Sequence, residues 1–69
     1  MKISARNQFK GTIVSIEEGA VNGIVRIDIG GNIVTATISM GSIRELGLKV
    51  GGTAYAVIKA TSVMVGVDE

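Results

Sequence analysis

Apolar positions recur at every second residue through much of this chain. The clearest stretch runs from Asn22 to Ile29, where Gly23, Val25, Ile27 and Ile29 alternate with Ile24, Arg26 and Asp28. A period of two places successive side chains on opposite faces, so this stretch predicts a strand with one apolar face. Upstream, a first strand region is expected from about Ile3 to Ile16, bent near Lys10-Gly11; Thr12 to Ile16 is its densest run of strand formers. Glu17-Glu18-Gly19-Ala20 reads as a polar turn. Gly30-Gly31-Asn32 can adopt positive φ, so it predicts a hairpin leading into a third strand, Ile33 to Ser39. Beyond a turn at Lys49-Val50-Gly51-Gly52 comes a fourth strand, Thr53 to Lys59. Ala60-Thr61-Ser62 breaks it, and Val63 to Val67 is expected to be the last strand.

The period changes once, at Met40. Ser42-Ile43-Arg44-Glu45 fits a capping box, with Ser42 at the N-cap and Glu45 three residues on. Ile43, Leu46 and Leu48 can share one face of a turn or two of helix, and Gly47 is a plausible C-terminal stop. The predicted order is three strands, a short helix and two strands. That describes a mostly β, five-stranded OB-like β-barrel with one short helix between strands 3 and 4, in a single domain over residues 1–69. A small sandwich is the structural alternative.

Composition narrows the functions such a domain can carry. The 69 residues contain no His and no Cys. Thiol chemistry, disulfides and iron–sulfur clusters are excluded, and the usual general base and commonest metal ligand are missing. No directly coordinated metal and no catalytic activity are expected. The formal net charge is +1 and the only aromatics are Phe9 and Tyr55, so a basic, base-stacking nucleic-acid groove is not predicted. Mean hydropathy is +0.48, yet no uncharged apolar run is long enough to span a bilayer. No apolar stretch of signal-peptide type follows Met1-Lys2-Ile3-Ser4-Ala5-Arg6, so a cytoplasmic protein is the expectation. A domain this short buries only about 60% of its unfolded surface. With no disulfide to staple it, self-association is the expected remedy.

The carboxylates form no catalytic constellation. Glu17-Glu18 and Asp68-Glu69 read as solvated charge, Glu45 as part of the capping box, and Asp28 as a surface ion-pair partner of Arg26. The Gly30-Gly31 and Gly51-Gly52 doublets lack the Lys-Ser/Thr that would follow in a phosphate loop. Three segments are harder to dismiss: Ser4-Ala5-Arg6-Asn7-Gln8, Ser39-Met40-Gly41-Ser42 and Lys59-Ala60-Thr61-Ser62. Together they supply two cations, several hydroxyls and free backbone N–H groups near a helix start, which is the inventory for an oxyanion.

These same segments carry a resemblance. Ser4-Ala5-Arg6-Asn7-Gln8, followed by an aromatic residue and a Gly, resembles the opening of the molbindins, the Mop family of small molybdate-binding proteins. Ile38-Ser39-Met40-Gly41-Ser42 before Glu45-Leu46-Gly47-Leu48 is similar to the family's second signature, although members vary at Gly41-Ser42. Val57-Ile58-Lys59-Ala60-Thr61 followed by Val63-Met64-Val65 is similar to the third. The resemblance spans essentially the whole chain.

The resemblance implies an OB-like barrel that assembles as a hexamer, a trimer of dimers, and binds oxyanions between subunits. Molybdate is the implied ligand, with tungstate poorly distinguished from it; no other cofactor is implied. Carried over residue by residue, Ser4, Ala5 and Arg6 match one set of ligands, Ser39 and Ser42 a hydroxyl set, and Lys59 with Ala60 a cationic set. Contributions come from different protomers, so one chain holds half of each site. A chain this short leaves no room for a DNA-binding or ATPase domain, so the resemblance points to an intracellular molybdate store or buffer. Two rivals remain open: an adaptor OB module for protein or single-stranded nucleic acid, and a pterin carrier or enzyme of molybdenum cofactor assembly.

Overall fold

A computed structural model describes residues 1–69. Its elements are β1 (Asn7–Glu17), β2 (Asn22–Asp28), β3 (Ile33–Ser39), α1 (Met40–Glu45) and β4 (Thr53–Ile58), followed by a 3-10 turn at Ala60–Ser62. The strands form one antiparallel sheet in the order β3-β2-β1-β4, curled into a half-barrel. β1 is shared between two neighbours. Asn7 to Thr12 pair with β4, and Thr12 to Glu17 pair with β2. The β1–β2 register shifts between Ile13 and Ser15, so Val14 is an extra residue that bends and twists the strand.

The core lies on the concave face. Ile13, Val25, Ile27, Met40, Ile43 and Ala56 are its buried apolar residues, flanked by half-buried Ile16, Ile29, Val34, Ile38, Leu48 and Ala54. The alternation read in β2 holds, with Gly23, Val25 and Ile27 all buried. Gly23 has a specific task. A Cβ there would lie 2.5 Å from Cδ1 of Ile43 and 2.9 Å from the sulfur of Met40, with the Glu17 carbonyl 3.0 Å away on the backbone side. α1 can sit on the sheet only because this strand position has no side chain.

Three expectations are corrected at the level of single elements. Ser39, not Ser42, is the N-cap of α1: its backbone is extended (φ −66°, ψ 149°) and its Oγ accepts the Ser42 N–H at 3.0 Å. β3 runs straight into the helix, so the last extended residue takes the cap, and Ser42 is already helical. Glu45 therefore closes α1 instead of completing a box at its start, and Leu46 is exposed while Ile43 is buried. Gly47 is the stop, at φ 63°, with the Gly47 and Leu48 N–H groups donating back to Arg44 and Ile43.

Second, Arg26 does not pair with Asp28. Arg26 crosses to Glu17, a member of β1 and not of a turn, at 3.0 Å. Ser15 stands directly opposite Arg26 in the ladder and Glu17 diagonally across from it, within reach of the long guanidinium side chain. Asp28 instead holds the β2–β3 hairpin, its Oδ1 accepting the N–H groups of Gly30 and Gly31 at 2.9 Å each. Both glycines have φ above 100°, a conformation that L side chains resist. The N–H of Gly31, then that of Gly30, holds the Asp28 carboxyl below its ordinary value.

Third, the fifth strand expected over Val63–Val67 does not form within the chain. The sheet has four strands, and the 3-10 turn at Ala60–Ser62 leads the chain away into an extended, unpaired segment. The other boundaries differ by a few residues: β1 starts at Asn7 instead of Ile3, and β4 ends at Ile58 instead of Lys59.

Gly23→Val is expected to lower stability by about 1–3 kcal/mol in urea denaturation, because the branched side chain overpacks the seat of α1. Ser39→Ala should cost about 0.5–2 kcal/mol through loss of the cap, and Ser42→Ala clearly less, in the same assay. The depressed Asp28 carboxyl stabilises the fold fully above its unfolded value, near pH 4, and that contribution fades as pH falls towards the lower folded value. Asp28→Asn should therefore flatten the acid limb of a melting-temperature profile below about pH 4.

Candidate functional site

The residues singled out in the sequence fall into two groups at opposite ends of β1. The first is built around the start of that strand. Asn7 is paired with Ile58, so Arg6 and Lys59 flank the last rung of the β1–β4 ladder. The Gln8 side-chain amide donates to the Ala5 carbonyl at 2.7 Å, which ties Ser4-Ala5-Arg6 down as an ordered approach to β1. Gln8 lies within the sequence signature, but the pattern alone assigned it no task. Lys59 precedes the 3-10 turn, in which the Ser62 N–H donates to the Lys59 carbonyl at 2.9 Å.

This end is rich in unspent donors. The chain's one ion pair is Arg26 with Glu17, so neither Arg6 nor Lys59 is neutralised by a carboxylate. Both cations are exposed, as are Ser4 and Ala60. The N–H groups of Ala60 and Thr61, at the start of the turn, have no acceptor within the chain. The sequence singles out Thr61 for its hydroxyl and not for its N–H. Only the turn geometry marks it, because a free amide is a property of conformation and not of residue type.

The second group is the junction of β3 and α1. Ser39 pairs with Asn22 at the last rung of the β2–β3 ladder, beyond the Glu17 end of β1. The Ser39 hydroxyl donates to Ser42 Oγ at 2.9 Å while accepting the Ser42 N–H. Two hydroxyls thus spend one hydrogen on each other, and one hydroxyl hydrogen remains for an outside acceptor. Arg44, two residues on in α1, is exposed and makes no ion pair.

Eleven residues of β1 separate the groups, about 30 Å along the strand. No hydrogen bond connects them. The first group can balance the charge of a dianion but leaves one side open. The second can donate hydroxyl hydrogen bonds, and neither Ser39 nor Ser42 is charged. No cluster of His, Cys, Asp and Glu is placed to hold a metal ion, and no helix is long and apolar enough to cross a membrane.

Comparison with known proteins shows the family. Residues 3–65 match the TOBE domain family. A probable molybdenum-pterin-binding protein of Haemophilus influenzae is 65% identical over 69 residues, covering 99% of this chain and 100% of that protein. Among solved structures, apo MopII from Clostridium pasteurianum is similar at a TM-score of 0.90 with 46% identity, over 96% of this chain and 100% of that one. The cytoplasmic molybdate-binding protein ModG, crystallised with molybdate bound, is similar at a TM-score of 0.92 with 43% identity, over 99% of this chain and 49% of its own. The Haemophilus relative and ModG are binding proteins by description. With a family match over nearly all of its length and a relative of equal size at this identity, the chain belongs to the TOBE domain family, in its Mop or molbindin branch.

Proposed function

We propose that this protein binds molybdate, and tungstate with little discrimination, at the subunit interfaces of a homo-oligomer, and so acts as an intracellular store or buffer of the oxyanion. The assembly is read as a hexamer, a trimer of dimers. The observation that carries this reading is the division of the donors: cations and free amides at one end of β1, the Ser39–Ser42 hydroxyl pair at the other. A second copy that brings its hydroxyl end to the first copy's cationic end completes a shell around one tetrahedral anion. Ser4, Ala5, Arg6, Lys59 and Ala60 form one side of that shell, and Ser39 and Ser42 the other.

The charges match. Molybdate is a dianion at neutral pH, and Arg6 with Lys59 supplies two positive charges. Charge-assisted hydrogen bonds contribute about 1.5–3 kcal/mol each. A handful, less the cost of association, reaches the −8 kcal/mol or so of a micromolar complex. Selectivity follows from size and protonation. Sulfate is smaller and leaves donors unmet, and phosphate is partly protonated near pH 7 and needs an acceptor that this shell lacks. Tungstate has nearly the dimensions and charge of molybdate.

Arg6→Ala and Lys59→Ala are each expected to weaken molybdate binding at least tenfold in isothermal titration, with the oligomer mostly intact; unchanged affinity in both removes them from the site. Molybdate should raise the melting temperature, because it binds only the assembled form. Sulfate at equal concentration should do little, and equal shifts for the two anions would count against selectivity.

A further inference from the structure

The charges of this chain are sorted by strand pairing. Residues 1–16 and 46–67 contain Lys2, Arg6, Lys10, Lys49 and Lys59 and no Asp or Glu. They supply both partners of the β1–β4 ladder, Asn7–Thr12 with Thr53–Ile58. Residues 17–45, which hold β2, β3 and α1, contain Glu17, Glu18, Asp28 and Glu45 against Arg26 and Arg44. The balance is +5 in the first region and −2 in the second. The last two carboxylates, Asp68 and Glu69, end the chain, beyond the extended segment that follows Ser62.

Lys10 is the cation of this ladder that has no task yet. It stands opposite Tyr55, whereas its neighbour Phe9 stands opposite the buried Ala56. Alternation therefore puts Lys10 on the outer face of the sheet, in the same rows as Gln8, Tyr55 and Val57. Lys59 continues β4 in extended conformation (φ −63°, ψ 139°), so it falls on that face too. Lys10 lies three residues inside the last rung, Asn7 with Ile58, which Arg6 and Lys59 flank. That is about 10 Å along the strand. Lys10 is exposed and makes no ion pair. Asp28, opposite Thr12 on the neighbouring strand, is turned onto its own hairpin through Oδ1. At this separation Lys10 is too far to touch an anion held by Arg6 and Lys59, yet its field reaches it. Salt cuts that field off over about 8 Å at 0.15 M ionic strength and about 30 Å at 0.01 M.

We propose that Lys10 is a steering residue: it stays outside the shell that holds the oxyanion and draws a dianion along the outer face of the β1–β4 ladder towards Arg6 and Lys59. The inference deepens the molybdate-binding reading above and rests on it. An anion that approaches the β1–β4 face meets only positive charge, and one that approaches the β2–β3 side meets a net negative one, so the sorted charges favour encounters at the cationic end. Steering of this kind acts on encounter. Lys10 therefore sets the association rate, and release is left to the groups that touch the anion. The attraction scales with the charge of the ligand, so the same lysine favours a dianion over a monoanion before any donor is reached.

The test compares Lys10→Gln, Lys10→Glu and Lys10→Arg with the unaltered protein in molybdate uptake. Isothermal titration gives the affinity. A chase of bound radiolabelled molybdate with unlabelled anion gives the release rate, and the two together give the association rate. At 0.01 M ionic strength Lys10→Gln should slow association about two- to threefold and Lys10→Glu about five- to sevenfold, with release unchanged. At 1 M salt, where screening acts within about 3 Å, both differences should vanish. Lys10→Arg should match the unaltered protein throughout. Association that ignores Lys10→Glu at low salt would overturn the proposal. A loss that persists at 1 M salt, or that appears in the release rate, would make Lys10 a ligand or a structural residue and overturn it equally. If the unaltered protein takes up no molybdate at either salt, the anion site falls and the steering with it. If uptake is intact and only the dependence on Lys10 is missing, the anion site stands and the steering alone is removed.

Discussion

β1 is the constraint on which everything else in this molecule depends. It lends its first half to β4 and its second half to β2, and Thr12 is paired on both sides. A strand used in this way cannot lie in a flat sheet. The extra residue at Val14 adds local twist where one partnership gives way to the other, and the sheet curls around Ile13. The loop before β4 completes the exchange: the Ile13 N–H donates to Gly52 and its carbonyl accepts from Gly51. The same split sends the start of β1, with Arg6 and Lys59, to one end of the molecule and the β3–α1 junction to the other.

Curling does not amount to closure. Four strands leave β3 and β4 as free edges, and the core beneath them holds six apolar side chains. For a chain without disulfides, that is little burial to set against the entropy of ordering 69 residues. The apolar groove between β3 and β4 and the exposed valines after Ser62 are two sides of this deficit.

The electrostatics follow the same division. Most of the chain's polar side-chain interactions serve the fold: Arg26 with Glu17 across β1 and β2, Asp28 on its hairpin, and Ser39 on α1. Arg6 and Lys59 serve nothing within the chain. They are two exposed, uncompensated cations at the end of one ladder, beside amides with no acceptor within the chain. The serine pair is different in kind, because Ser39 must hold the helix whether or not a ligand is present.

Much of this was legible in the residues alone. The period of two in β2, the Gly30-Gly31 hairpin and the short helix after β3 follow from local sequence, because side-chain alternation, positive φ and helix initiation are settled within a few residues of chain. The three donor-rich segments were also visible, as residue types with no place in a core. The misread details are those in which two local choices compete, or in which a partner arrives from elsewhere in the chain. Ser39 and Ser42 are both good caps, and the path of β3 chose between them. Asp28 could pair with Arg26 or hold a turn, and the cross-strand position of Glu17 decided it. Val63–Val67 has the composition of a strand, but a strand exists only where another offers it a ladder, and that is a property of packing. Residue chemistry thus established the elements and the donors. Which donors meet, which edges stay open and how far apart the two donor groups lie came from the pairing of strands distant in sequence, which no local pattern encodes.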